Sequence, residues 1–172
     1  LQPHPPVSDP VPAVASSPPT SANFGSCPPA CDVDLCIVGA GTIGSIIARD
    51  IASCGFSSIV LEQTPAVGGV WSMNDYPGLR LQATGSSYRC LSLAPAWMHE
   101  GEGKVDPLFR PSGQKVLQYI KDMLDHKLIE VRTSTAYVSH AKVGGNYTVT
   151  TDNGPTFTAR GICFAPGAHE TT

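Results

Sequence analysis

The chain has 172 residues, of which 41% are hydrophobic and 15% charged, so it is long enough to bury a core as one globular domain. A formal net charge of −3 offers no basic surface to a nucleic-acid backbone, and no apolar run is long enough to span a bilayer. We therefore expect neither a nucleic-acid partner nor a membrane span. The six cysteines show no zinc-ligand spacing, so no metal site is expected, and a Cys27–Cys31 disulfide stays open for a secreted chain.

Residues 1–31 differ in composition from everything that follows them. Nine of the sixteen prolines lie before residue 30, and Asp9 is the only Asp, Glu, Lys or Arg there. This composition predicts a disordered Pro/Ser-rich tail, followed by a domain over 32–172. Because the first basic residue is Arg49 and no signal-peptide core is recognisable, a cytoplasmic location is slightly favoured and secretion stays open. The start at Leu1 suggests that an upstream segment is missing.

The first element after the tail is a short apolar run at 33–38, typical of a strand buried on both faces. A glycine cluster follows, and isoleucines from Ile43 to Ile51 have helical spacing up to Gly55. A second apolar run occupies 58–62. Strand, helix and strand within about thirty residues predict a right-handed crossover in a parallel sheet.

The segment 63–110 has no clear period, but Val116, Leu117, Ile120, Leu124 and Leu128 form one face of a predicted helix. Turn signals at Gly144-Gly145 and 152–154 divide the rest into further strands, predicted at 129–131, 136–143, 146–151, 156–159 and 161–165. The fold class is therefore α/β, a Rossmann-like parallel sheet with a β-meander crossover.

The sequence Gly39-Ala40-Gly41-Thr42-Ile43-Gly44 is a GxGxxG motif directly between the first strand and the first helix. The glycines allow a tight turn and a close approach of a pyrophosphate to the helix N-terminus. Glu62 ends the next strand, where a carboxylate can accept hydrogen bonds from ribose hydroxyls and disfavours a 2′-phosphate. We expect this carboxylate to be exposed at the sheet edge and to contribute little to the core. The motif thus predicts dinucleotide binding.

Several later segments occur in an order that resembles class B flavin monooxygenases, particularly those of the Baeyer–Villiger type. They are Val67-Gly68-Gly69-Val70-Trp71, Tyr76-Pro77-Gly78-Leu79-Arg80-Leu81-Gln82, Ser87-Tyr88, Arg110-Pro111-Ser112 and Ala165-Pro166-Gly167. The resemblance covers about 33–169, and it implies that 32–172 is an incomplete FAD-binding domain of the glutathione reductase type. It implies that FAD is the cofactor held by this chain, and that NADPH binds at a second site outside it.

Carried over by position, the resemblance implies a set of cofactor-binding residues and no catalytic one. The pyrophosphate would be lined by Gly39, Ala40, Gly41, Ile43 and Gly44, and the adenosine ribose bound by Glu62. The ribityl chain and flavin ring would be approached by Gly69, Val70, Trp71, Arg80, Gln82 and Tyr88. The backbone of Thr135 would meet the adenine, and the turn closing on the cofactor would contain Ala165 and Gly167. Ordinary alternatives are core packing for Trp71 and Tyr88 and a surface ion pair for Arg80.

Two residues depart from the family pattern. Gln82 stands where Baeyer–Villiger enzymes usually carry an Asp, and Pro166 replaces a Thr, which removes a hydroxyl and a backbone donor. The second GxGxxG motif and the substrate pocket are not in these residues, so we expect a missing C-terminal half or a second chain.

The implied function is the FAD-binding portion of an NADPH-dependent monooxygenase. Such an enzyme inserts oxygen into a small-molecule ketone, or oxidises a heteroatom, through a C4a-peroxyflavin. Whether the chain acts as an enzyme alone stays open. The alternative is a shortened, non-redox nucleotide-fold protein that acts as a binding or scaffolding module.

Overall fold

A computed structural model describes residues 30–74, 76–98 and 109–167 of the chain. The strands form one six-stranded sheet with the order β3-β2-β1-β6-β5-β4. The tail predicted for residues 1–31 lies outside the described residues except for Ala30 and Cys31, and so does Cys27 of the disulfide left open above. Within the described ranges, no helix has the length and apolar character needed to cross a membrane.

The predicted glycine-rich βαβ unit is confirmed. Strand β1 (Val33–Val38) leads into helix α1 (Thr42–Ser53) and then into strand β2 (Ser58–Leu61). The two strands are parallel neighbours, with Cys36 opposite Ile59. This crossover places the glycine cluster at the carboxyl edge of the sheet, where ligands bind in open α/β folds.

Helix α1 packs through small side chains and not through the isoleucine stripe that predicted it. Its buried residues are Gly44, Ser45, Ala48 and Ala52. Ile43 is 62% exposed, whereas the later isoleucines pack at the flank of the core. Small residues on the inner face let the helix lie close to the sheet, which brings its N-terminus near the strand ends.

The second half of the chain adds four strands. Strand β3 (Ile129–Arg132) extends the parallel sheet beside β2, and β4 (Tyr137–Val143), β5 (Asn146–Thr151) and β6 (Phe157–Phe164) form the meander. The first part of β6 pairs antiparallel with β5, and β6 pairs parallel with β1 from Ala159 onwards. The meander crossover is therefore confirmed.

The division of this last segment into two strands, 156–159 and 161–165, is wrong. Gly161 lies within the continuous strand β6, opposite Leu35 of β1. A Cβ atom at this glycine would lie 3.1 Å from the Cδ1 atom of Leu35. The glycine therefore relieves side-chain packing between neighbouring strands and does not mark a turn.

The segment 63–110, which shows no clear period in sequence, contains three short helical elements in its described part. Helix α2 (Val70–Met73) and two 3₁₀ turns (Gly85–Ser87 and Ala96–Met98) precede α3 (Gly113–Leu124). The predicted helix is confirmed as α3, and the Ser112 hydroxyl caps its N-terminus by accepting from the Lys115 amide at 3.4 Å. Leu128 lies beyond its end.

The core has two layers on opposite faces of the sheet. Ile37 and Val60 pack with α1 and α3, whereas Cys36, Ile59 and Leu61 pack with the meander. Alternation along each strand separates the two sets. Helices α1 and α3 thus cover one face of the parallel strands, and meander residues such as Val149 and Phe157 pack with the other set.

Candidate functional site

The glycine loop between β1 and α1 requires glycine at two positions for steric reasons. Gly39 has a φ of +106°, and a Cβ atom there would overlap the carbonyl oxygen of Ala165 at the end of β6. A Cβ atom at Gly44 would overlap the carbonyl oxygen of Gly39. These two glycines let the loop turn tightly and let helix and strand meet, as the sequence predicts.

Gly41 is different, because its backbone would accept any residue. It has φ −77° and ψ −172°, and a Cβ atom there would meet nothing nearer than the Cα atom of Gly69 at 3.9 Å. No side chain caps helix α1, and no acidic residue lies in its first turn. Open space and uncapped amides at a helix N-terminus fit a phosphate group, so the structure has a cradle that a methyl group would partly fill.

Glu62 is buried and not exposed, which corrects the sequence expectation. Its residue is 7% exposed, and Oε2 accepts from the Ala40 amide at 3.0 Å. Oε1 accepts from the amide of Thr64 at 2.9 Å and from its hydroxyl at 2.8 Å. The carboxylate therefore ties the glycine loop to the turn after β2. Two carboxylate oxygens offer about four acceptor positions, and these three hydrogen bonds leave one of them, on Oε2, unused.

A second glycine segment lies directly on the first one. The Gly68 amide donates to the Ala40 carbonyl at 2.9 Å, and Gly69 has a φ of +54°. A Cβ atom at Gly69 would lie 3.2 Å from the Cα atom of Gly41. Helix α2 starts at once, with Val70 exposed and Trp71 half-buried. The segment after β2 thus brings Trp71 to the glycine loop, as the resemblance implies.

The side chains of Trp71, Tyr88 and Thr42 form a hydrogen-bonded chain beside the loop. The indole Nε1 of Trp71 donates to the Tyr88 hydroxyl at 2.8 Å, and this hydroxyl also contacts the Thr42 hydroxyl. The two aromatic rings meet edge to face, with centroids 6.2 Å apart. Tyr88 and Trp71 are half-buried and pack against the edge of the core, so the core-packing alternative for both residues stays open.

Arg80 and Gln82 lie further out. Arg80 is exposed, and its Nη1 donates to the Arg110 carbonyl at 3.0 Å; among the described residues it forms no ion pair of the kind considered above. It lines an open cleft of about 740 Å³ together with Trp71, the loop 76–79 and the first turn of α3. Gln82 is exposed and is not among the residues that line this cleft.

The remaining proposed residues come from the turn after β3 and from the end of β6. Thr135 is buried, and its amide donates to the Glu62 carbonyl at 2.9 Å, so its backbone lies beside Glu62. The Ala165 amide donates to the Val38 carbonyl at 2.8 Å, which holds the end of β6 against the glycine loop. Gly167 is exposed with a φ of +84°.

Sequence reasoning missed Thr42 and Thr64. Thr64 binds the Glu62 carboxylate through both its amide and its hydroxyl, and Thr42 ends the chain that starts at Trp71. No sequence signal pointed to Thr64, and for Thr42 the sequence showed only that this residue occupies an unspecified position of the GxGxxG motif. In the described part of the chain, no cluster of three or more His, Cys, Asp or Glu side chains could hold a metal ion.

Comparisons with known proteins agree with this geometry. Residues 37–102 match the NAD(P)-binding Rossmann-like domain family. Neopentalenolactone D synthase of Streptomyces avermitilis is 28% identical over 145 residues, which cover 80% of this chain and 23% of that protein. Oxidized steroid monooxygenase bound to NADP superposes with a TM-score of 0.64 at 27% identity, covering 81% of this chain and 27% of the other. OTEMO in complex with FAD and NADP gives 0.60 at 26% identity, covering 80% and 26%.

Fold and family match therefore define a Rossmann-like dinucleotide-binding domain with a mixed six-stranded sheet. The chain is a homologue of Baeyer–Villiger and related flavin monooxygenases and corresponds to an N-terminal part of these longer proteins. It spans about a quarter of the length of the relatives it matches.

Proposed function

We propose that this chain is the FAD-binding portion of an NADPH-dependent flavin monooxygenase that acts on a small-molecule substrate. The observation that carries the proposal is the docking of the second glycine segment on the first, through the Gly68 amide and the Ala40 carbonyl. A plain NAD fold usually continues from the second strand into another helix. Here the segment after β2 instead returns to the glycine loop, and Trp71 lies close to the start of α1.

The described residues fit each part of FAD in turn. The pyrophosphate would lie against Gly41, where no side chain fills the space and the α1 amides are uncapped. The free acceptor position of Glu62 would take a ribose hydroxyl, and the carboxylate would repel a 2′-phosphate, so the site favours FAD over NADP. Trp71, Tyr88 and Arg80 would stand nearest the flavin end.

Bound FAD would supply the redox chemistry, and NADPH would bind to a part of the protein outside these residues. What this chain contributes is binding, orientation and water exclusion. A missing C-terminal half or a second chain would complete the substrate pocket, which is consistent with the open cleft beside Trp71 and Arg80.

The sharpest test uses Gly41→Ala, because the structure separates folding from binding at this position. Its backbone angles suit alanine, and the new methyl group would contact only Gly69, at 3.9 Å. We expect an unchanged melting temperature and at least about ten-fold weaker FAD binding, measured by titration of flavin fluorescence, as about 1.4 kcal/mol is lost. Equal affinity in variant and parent would contradict a pyrophosphate at Gly41.

Comparison of ligands distinguishes the proposal from the scaffold alternative. The parent chain should bind FAD more tightly than FMN, which lacks the adenosine part, and more tightly than NADP⁺, which carries a 2′-phosphate. Absence of binding to all three would favour a non-redox scaffold. Rapid NADPH-dependent bleaching by these residues alone would contradict a separate NADPH site.

A further inference from the structure

Thr42 holds a hydroxyl group at a position in the glycine loop where GxGxxG specifies no side chain. It is the first residue of helix α1, and its hydroxyl meets that of Tyr88, which in turn accepts from the Trp71 indole. The three residues come from three segments: the glycine loop, the segment after Gly69, and the first 3₁₀ turn. The chain of hydrogen bonds therefore links the segments that surround the cradle.

Counting hydrogens shows that this series of hydrogen bonds has one donor hydrogen without an acceptor among the described residues. Trp71, Tyr88 and Thr42 each supply one hydrogen, and the two contacts between them use two of the three. Within the described residues, neither hydroxyl makes a further side-chain or backbone hydrogen bond. One hydroxyl hydrogen is thus left for a group outside the protein, either water or a ligand oxygen.

Acidity decides which residue keeps that hydrogen. Tyr88 accepts from Trp71, which polarises its phenol, and a phenol is a stronger donor than an aliphatic alcohol. Tyr88 therefore donates to Thr42, and the hydrogen of Thr42 is the one left over. The Trp71 indole thus donates to Tyr88 and Tyr88 donates to Thr42, at the start of α1. Each of these hydrogen bonds polarises the next donor and strengthens its bond.

We infer that Thr42 is a cofactor-positioning residue whose hydroxyl donates to a phosphate oxygen of the bound dinucleotide. The inference rests on the proposed binding of FAD and adds a side-chain donor to the uncapped amides of the same helix end. Tyr88 and Trp71 act through Thr42 by orienting its oxygen, so their side chains also determine how tightly the cofactor is held.

Thr42→Val removes the hydroxyl and keeps the shape, whereas Thr42→Ser keeps the hydroxyl. We expect about ten-fold weaker FAD binding for the valine variant and recovery to within about three-fold for the serine variant. Thr150→Val, in β5, is the matched control and should bind FAD as the parent does. The serine variant and the control should melt as the parent does, whereas the valine variant, which removes the acceptor of the Tyr88 hydroxyl, should melt somewhat lower; FAD binding is therefore measured well below that temperature.

Two further measurements locate the contact. ADP carries the pyrophosphate without the flavin, so Thr42→Val should weaken ADP and FAD binding by the same factor. Loss with FAD alone would overturn the phosphate assignment. In the ligand-free protein, Tyr88→Phe should shift the indole N–H resonance of Trp71 and leave that of Trp97, which donates to the Gly85 carbonyl at 3.3 Å, unchanged.

The outcomes separate the inference from the function on which it rests. If the parent binds FAD and Thr42→Val binds it equally, the inference is wrong and the proposed function stands. If the parent binds no FAD, both are wrong. Coupling provides a last check: Thr42→Val combined with Tyr88→Phe should weaken binding by no more than about two-fold beyond Thr42→Val alone. Full additivity would contradict an action of Tyr88 through Thr42.

Discussion

Replacement of Glu62 by glutamine tests both the architecture of the loop and the position of the ribose. The carboxylate accepts three hydrogen bonds, from the Ala40 amide and from the amide and hydroxyl of Thr64, while its residue is 7% exposed. Glutamine has nearly the same shape but only one acceptor oxygen, and its nitrogen carries two hydrogens and cannot accept. Whichever way the amide points, one buried donor faces another donor.

The magnitude follows from the cost of a buried donor without a partner, about 1–3 kcal/mol. We expect Glu62→Gln to lower the free energy of unfolding of the ligand-free protein by about 2 kcal/mol. At about 2–4 °C per kcal/mol for a chain of this size, the melting temperature should fall by about 4–8 °C. FAD affinity should fall as well, by at least about ten-fold, because a charge-assisted bond to the ribose is lost.

Thermal unfolding followed by circular dichroism measures the first effect, and titration with FAD measures the second. Glu130→Gln is the matched control: its carboxylate lies in β3, pairs with Arg132 at 2.7 Å and is 56% exposed, so both quantities should stay close to those of the parent. An unchanged melting temperature in Glu62→Gln would refute the carboxylate's role in the loop. A lowered melting temperature with unchanged FAD affinity would refute only its role at the ribose.

Three further predictions concern glycine, pH and thiols. Gly39→Ala should lower the free energy of unfolding, measured with a denaturant, by at least about 3 kcal/mol. Gly55→Ala, also at positive φ but in open space, should lower it by only about 1 kcal/mol. Equal losses of stability would contradict the overlap of a Cβ atom at Gly39 with the end of β6. The pKa of Asp34 is lowered by hydrogen bonds from Ser57, the residue before β2. Asp34→Asn should therefore lower the free energy of unfolding by about 1 kcal/mol near neutral pH. In melts at different pH values, this difference from the parent should vanish as the pH falls below about 4, where Asp34 of the parent becomes protonated. Burial raises the pKa of the Cys36 thiol to about 12, so alkylation of the folded protein at pH 8 should modify exposed Cys54 and spare Cys36, as peptide mass mapping would show.

The βαβ unit could be predicted because its signals are local. The apolar run at 33–38, the helical spacing after it and the glycine at 39 each act within a few residues, and the structure has each element at the expected place. The merged strand β6 could not be predicted in the same way. Gly161 looks like a turn in sequence, and only its neighbour Leu35, on another strand, shows why glycine is there.

The contacts of the candidate site could not be predicted from the sequence. Glu62 was expected at the strand end, but its burial depends on Thr64 and on the Ala40 amide, which fold around it from two sides. The hydrogen bonds that link Trp71, Tyr88 and Thr42 join residues far apart in sequence, so no periodicity or motif predicts them. Proximity that arises from tertiary folding leaves no trace in a local pattern.

The two departures from the family pattern lie away from the hydrogen bonds that hold the cradle together. Pro166 cannot donate, but the bond that closes β6 on the loop comes from the Ala165 amide to the Val38 carbonyl. Gln82 is exposed, and the backbone beside it is fixed by the Leu81 amide, which donates to a carbonyl before α3 at 2.9 Å. Both residues therefore lie outside the hydrogen bonds that hold these segments together, so we expect neither departure to prevent the domain from folding.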